Sequence, residues 1–221
     1  MLLAVDTSTA QVGLALYDGT QVLGEMTWVT RLHHTTELAP ALSGLLSRCG
    51  VSMDMVNALA VAIGPGSFTS LRVGLSLVKG IAFARHLPVM GIPTLDIIAA
   101  AQPVAKHPLV ALLQAGRTRI AFSVYQSQKK EWQSQGPVRS GTVDDLLNEI
   151  ECPTIAVGEL TSEDRKKLSK KKNFLLASPV NFERRPAVLA ALAWARWQAN
   201  KVDDAATLAP IYLHVAGTPI Q

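Results

Sequence analysis

Gly64-Pro65-Gly66-Ser67-Phe68-Thr69-Ser70-Leu71-Arg72 joins an apolar, strand-like run over 58–63 to a long helical pattern that begins near Ser70. Glycines on either side of a proline give the turn wide backbone freedom at two positions and a fixed φ between them. Ser67, Thr69 and the first amides of the helix then point into one small space, which is how a chain cradles an anion or phosphate. A plain tight turn with a good helix cap needs the same residues. The stretch is not a Walker loop, because no lysine follows the second glycine at the required place. Strand, glycine turn and helix in succession set the class as α/β.

The flanking sequence extends this pattern. Residues 2–5 form a wholly apolar strand ending in Asp6-Thr7-Ser8. Val12, Leu14 and Leu16 alternate with smaller residues, Asp18-Gly19 supplies a tight two-residue turn, and 22–28 returns as the second arm of a β-hairpin. Leu38, Leu42, Leu45 and Cys49 follow helical spacing, with Thr35 or Thr36 as cap, Pro40 in or near the first turn and Gly50 past the end. After the glycine loop a helix runs to about His86, a strand occupies 89–92, and Ile92-Pro93-Thr94-Leu95-Asp96 marks a boundary, with Thr94 capping a short helix. The second half echoes the first. It has a strand over 109–113, a turn at Gly116-Arg117 or its neighbours, and a return strand through Ile120, Phe122 and Val124. A helix over 144–150, a strand over 154–157 and an Ala/Trp-rich helix over 186–199 follow.

With 221 residues the chain is long enough to bury a core, and 48% hydrophobic against 17% charged leaves little material for disorder. No apolar run reaches the ~18 residues of a membrane span, and Asp6 comes too early for a secretory signal. Two cysteines in a chain of this size, Cys49 and Cys152, read as packing residues of a reduced, cytoplasmic protein. Charge is uneven: residues 1–105 carry five Lys/Arg and six Asp/Glu, residues 106–221 sixteen and eleven. Much of the excess lies in Arg165-Lys166-Lys167-Leu168-Ser169-Lys170-Lys171-Lys172. That run reads as a solvated helix end and loop, since no aromatic residues are interleaved with it to stack bases.

The helix after the glycine loop is apolar nearly all round, with Arg72 and Lys79 its only charges between Ser70 and Ala84, and it carries a small-residue row of Ser76, Gly80 and Ala84. The helix before it has Ala41, Gly44 and Ser47 beside its leucines. Surface helices of a small α/β domain show one broad polar face, so these two are expected to form a subunit interface. Leu38, Leu42, Leu45, Val73, Leu77 and Ile81 are its expected apolar core, with Gly80 and Ala84 permitting close approach.

Asp6-Thr7-Ser8 after an apolar strand is where actin-like and sugar-kinase-like folds place a phosphate loop, the carboxylate organising hydrated Mg²⁺. Such a fold needs a second acidic loop, and the matching strand here ends in Gln114, a neutral amide. Asp6, Thr7, Ser8, Gly64, Gly66, Ser67 and Thr69 therefore form a degenerate nucleotide site, with no cofactor expected. His33-His34 supplies no metal site, because Leu38 stands where a second ligand would be, and both histidines read as exposed residues entering a helix. No nucleophile elbow or His/Asp partner has recognisable spacing, which argues against a serine hydrolase. The expected architecture is two tandem actin-like (ribonuclease H-like) lobes with mixed sheets, residues 1–95 and a reduced 96–221.

The start Leu3-Ala4-Val5-Asp6-Thr7-Ser8, the loop Gly64-Pro65-Gly66-Ser67-Phe68-Thr69 with Leu71-Arg72 and Gly74, and Gly91 with Thr94-Leu95 resemble the bacterial TsaB family. These are the dimerisation subunits of the tRNA threonylcarbamoyladenosine machinery. His34-Thr35, Pro40, Val157-Gly158 and Pro210 with Tyr212-Leu213 fit the same pattern, which is dense over 1–95 and thin over 100–205. Family members usually have Gly where this chain has Ser70, and Asp-Ala-Arg where it has Gln114-Ala115-Gly116. The resemblance implies a non-catalytic subunit that holds and activates a TsaD-like subunit. That partner transfers threonylcarbamoyl from its adenylate to an adenosine beside the tRNA anticodon. It also implies a TsaE-like ATPase, contact with tRNA through the complex, a homodimer when the catalytic partner is absent, and no membrane. The catalytic relative binds metal through His-x-x-x-His, which the His34 and Leu38 positions here do not supply. An independent small kinase or ATPase on the same fold is the rival reading.

Overall fold

Runs of apolar residues without polar alternation belong in strands covered on both faces. The computed structural model, which describes residues 1–31, 33–116 and 118–213, places them so. β1 (Leu2–Asp6), antiparallel β2 (Gln11–Tyr17) and β3 (Val22–Val29) are followed by α1 (His34–Arg48). Then come β4 (Ala58–Ala62), α2 (Phe68–Arg85), β5 (Val89–Ile92) and α3 (Thr94–Ala100). The sheet order is β3-β2-β1-β4-β5, with β1, β4 and β5 parallel and every residue of those three buried.

The second sheet repeats this plan. It is built from β6 (Leu109–Gln114), β7 (Ile120–Gln128), β8 (Glu131–Ser134), β9 (Arg139–Gly141), α4 (Val143–Glu149), β10 (Thr154–Gly158), α5 (Ser162–Ser169) and β11 (Phe174–Leu176). Its order is β11-β10-β6-β7-β8, with β9 also on β7. Read outward from β6, a hairpin lies on one side and two parallel strands on the other, as around β1. The duplicated mixed α/β architecture is thus present, and Gln114 ends β6 as Asp6 ends β1.

Chain continuity departs from expectation. The last helix, α6 (Pro186–Gln198), packs Leu189, Ala190 and Ala193 onto Leu2, Ala4, Ala60 and Met90 of the first sheet. The opposite face of that sheet, through Leu3, Val5, Leu59 and Val61, meets Leu38, Leu42 and Leu45 of α1 and Leu75 and Val78 of α2. One compact unit is therefore 1–97 with 184–211, and the other is 98–183 with Tyr212 and Leu213 among the described residues. The expected division at 95 into 1–95 and 96–221 does not describe these units, since 184–211 returns to the first one, where α6 buries an apolar face against the first sheet.

Smaller differences have local causes. His34 is buried, its Nε2 3.0 Å from the Thr9 carbonyl oxygen, while His33 stays exposed. α1 starts at His34, so Pro40 lies in its second turn. β8, β9 and β11 are short or polar and have no apolar alternation to announce them. The turn expected at Gly116-Arg117 falls partly on Arg117, which lies outside the described residues.

The β2–β3 connection spans four residues rather than two. The Asp18 carboxylate accepts from the Thr20 amide (2.8 Å), the Thr20 hydroxyl (2.7 Å) and the Gln21 amide (2.8 Å). Those bonds, the Gln21 amide first, hold its pKa down to about 2 from 3.8. A depressed carboxylate pKa contributes stability above the unfolded value and loses it as pH falls through the folded one. The Asp18→Asn variant should therefore lose stability relative to the parent at pH 6, and the gap should close between pH 4 and pH 2 in acid unfolding curves.

Candidate functional site

Asp6 closes β1 with its carboxylate buried. Oδ1 accepts from the Ser8 amide at 2.8 Å and Oδ2 from Arg184 Nε at 2.8 Å. The Arg184 side chain is fully buried, and its Nη2 donates to Thr9 Oγ1 (3.0 Å) and to the Gln11 carbonyl (2.9 Å). Gln11 clasps the same residue through its amide, Nε2 donating to the Arg184 carbonyl at 3.2 Å and Oε1 accepting from the Arg184 amide at 3.4 Å. A guanidinium taken out of water survives only when paired and hydrogen-bonded, and all of these partners come from residues 6–11.

The glycine loop and the Asp-Thr-Ser turn come together as expected, but they hold each other. Ser67 donates its amide to the Ser8 carbonyl (2.7 Å). Thr7 Oγ1 donates to the Ser70 carbonyl (2.7 Å), and Ser8 Oγ lies 2.8 Å from Thr94 Oγ1, which also accepts from the Gly64 amide (3.0 Å). The Gly64-Pro65 bond is cis. A Cβ on Gly66 would stand 2.2 Å from the Ser8 carbonyl oxygen, and one on Gly74 would stand 2.3 Å from Thr7 Oγ1. Gly66 brings backbone against backbone and Gly74 lets the Thr7 side chain lie against α2, rather than leaving room for a phosphate. Ser67 caps α2 through the Ser70 amide, and Ser67 and Thr69 are exposed at the loop rim. Ser70 donates its hydroxyl to Ser67 Oγ at 2.9 Å.

The expected interface residues divide. Leu38, Leu42 and Leu45 are buried in the first unit's own core, so the leucine stripe of α1 faces its own sheet and not a partner. Val73, Leu77 and Ile81 are half-buried against the same core, whereas Gly80 and Ala84 are exposed. The outer face of α2 is Thr69, Arg72, Ser76, Gly80, Phe83 and Ala84. It includes a ring that is 56% exposed, at Phe83, and Arg72 stacked 3.6 Å above the exposed Phe68 ring. Thr35 joins Phe68, Thr69, Arg72, Val73 and Ser76 around a shallow, mostly apolar groove of about 420 Å³.

Sequence reading missed Arg184. Nothing local separates it from Arg185, which is exposed and pairs with Glu25; only the three-dimensional return of 184 to β1 does.

The model of the TsaD family, tRNA N6-adenosine threonylcarbamoyltransferase, matches residues 24–182. The tRNA threonylcarbamoyladenosine biosynthesis protein TsaB of Bacillus subtilis is 26% identical over 221 residues, covering 97% of this chain and 94% of its own. The chain belongs to this family, on its TsaB branch. Among solved structures, YeaZ from Pseudomonas aeruginosa is 25% identical with a TM-score of 0.78, over 96% of this chain and 99% of that one. An activator of 2-hydroxyisocaproyl-CoA dehydratase from Clostridium difficile, solved with bound ADPNP, shares the fold at 11% identity. Its TM-score is 0.53 over 92% of this chain and 98% of that one. The two-lobed actin-like class of the TsaB-type chain is thereby shown. No helix among its described residues is long and apolar enough to cross a membrane, and no group of metal-ligating side chains gathers among them.

Proposed function

We propose that this TsaB-family chain is the non-catalytic subunit of a tRNA threonylcarbamoyladenosine complex. In this reading it acts in the cytoplasm, binds a TsaD-type transferase, and works with a TsaE-type ATPase. The observation that carries the reading is the Arg184–Asp6 pair. The carboxylate that would organise hydrated Mg²⁺ in an ATP-using member of the fold is neutralised by the chain's own guanidinium. The neighbouring hydroxyls and amides are spent on each other. These residues do not fit a metal–nucleotide. The names of the relatives support the tRNA-modification assignment. Reconstituted modification of a tRNA transcript should fail when the chain is omitted, while the chain alone should turn over no ATP. ATP hydrolysis by the isolated chain at ~1 s⁻¹ or faster would instead favour an independent enzyme.

The exposed face of α2, with Gly80 and Ala84 at its centre, is the surface we assign to the transferase and, in its absence, to a second copy. Small residues let helices approach closely, and exposed Phe68 and Phe83 supply apolar area that gains by leaving water. Gly80→Glu with Ala84→Glu should leave the melting temperature of the isolated chain within a degree or two, since both positions are exposed and a Cβ on Gly80 meets nothing within 4 Å. The same variant should abolish co-elution with the transferase. Undiminished co-elution would place the interface elsewhere.

A further inference from the structure

Six lysines gather at one end of the second sheet. β6, β10 and β11 are parallel, so the segments entering them lie at the same end; Pro108 accepts from Ile155 and Asn173 from Thr154 across that edge. β7 runs the other way and reaches this end with its last residues, Leu109 pairing with Tyr125 and the β7–β8 turn following Gln128. Lys106, Lys129, Lys130, Lys170, Lys171 and Lys172 therefore share one rim, and all six are exposed. Among the described residues none of the six has an ion-pair partner, and the exposed acids beside them are Glu131 and Glu151, Glu149 being paired with Arg139. Five strands at ~4.8 Å spacing make the rim about 19 Å long. Lys106, Gln126 and Ser127 also line a polar groove of about 670 Å³ there.

A second, independent observation concerns the turn itself. Lys129 and Lys130 are its two central residues, between paired Gln128 and Glu131, with φ of 51° and 66°. A two-residue turn with both φ values positive favours Asn-Gly. Two lysines there are held in backbone that their side chains disfavour, and such outliers point to function. The rings nearest the rim are taken up by the fold: half-buried Trp132 donates its indole N–H to the Gln102 carbonyl (3.1 Å) and Phe174 is buried, which argues against a base-stacking platform and leaves recognition of phosphates.

We propose that this rim binds the phosphate backbone of a double-helical RNA segment, so that the subunit touches tRNA directly. This rests on the tRNA-modification reading above. The test titrates a fluorescent tRNA transcript with the full-length chain in complex with its transferase, at several KCl concentrations. Lys129→Asn with Lys130→Gly removes two charges and relieves the turn; it should raise the melting temperature yet weaken RNA binding roughly tenfold. The slope of log Kd against log salt should fall by about 2. Lys170→Gln, Lys171→Gln and Lys172→Gln together should act in the same direction. Unchanged affinity and slope in both variants, or a weaker affinity with an unchanged slope, would overturn the proposal. If modification still requires the chain in that case, the rim assignment alone has failed; if modification proceeds without the chain, the functional reading has failed instead.

Discussion

Replacing Arg184 with methionine should destabilise the protein by about 3–5 kcal/mol, because it strands the Asp6 carboxylate, which is buried away from solvent, without its counter-charge. Against the 5–15 kcal/mol typical of a folded domain, that loss is large enough to show in urea unfolding and as a lower yield of folded protein. The penalty belongs to the orphaned charge rather than to the lost side chain. Adding Asp6→Asn should therefore return much of the stability, with a coupling of about 1–3 kcal/mol between the two positions. Additive losses would show that the guanidinium matters only as packing.

Two glycine-to-alanine changes, chemically identical, should have opposite signs. At Gly66 the new methyl meets the Ser8 carbonyl, a backbone atom fixed by the Ser67 amide, and neither strand nor loop has a side chain to yield. Overpacking of this kind costs about 1–3 kcal/mol. At Gly80 the methyl meets nothing within 4 Å, so the variant gains the helix preference of alanine over glycine, about 0.5–1 kcal/mol. Both can be read from the same denaturant titrations. A neutral Gly66→Ala would mean that the loop is not clamped on β1.

Much of this was legible in the sequence because it is written in local patterns. The apolar runs at 2–5 and 58–63 became strands buried on both faces, the second ending at Ala62. The hairpin alternation through Val12, Leu14 and Leu16 became β2, and the glycine loop met the Asp-Thr-Ser turn. The leucine stripe Leu38-Leu42-Leu45 was also read correctly as one helix face. Its partner was not, since periodicity gives a face and never says what covers it; the sheet covers it, and the small-residue row of α2 is what remains outside. Arg184 was illegible for a related reason. Its meaning lies in a carboxylate at the other end of the chain, and no spacing rule reaches that far. Polar strands such as Glu131–Ser134 exist only because β7 offers an edge to pair with.

The first unit is discontinuous in the chain, and this bears on how the protein is made. Asp6 and Arg184 are 178 residues apart, which at about 5–20 residues per second is on the order of ten seconds or more of synthesis. The last strand of the first sheet, β5, ends at Ile92, so for the second half of that interval all five strands exist without α6 to cover one face and without a cation for the buried acid. The intervening unit, contiguous from 98 to 183, has every strand it needs before Arg184 is added. Synthesis thus completes the strands of the second sheet before the helix that covers the first, so the amino-terminal sheet depends on the carboxy-terminal part of the chain.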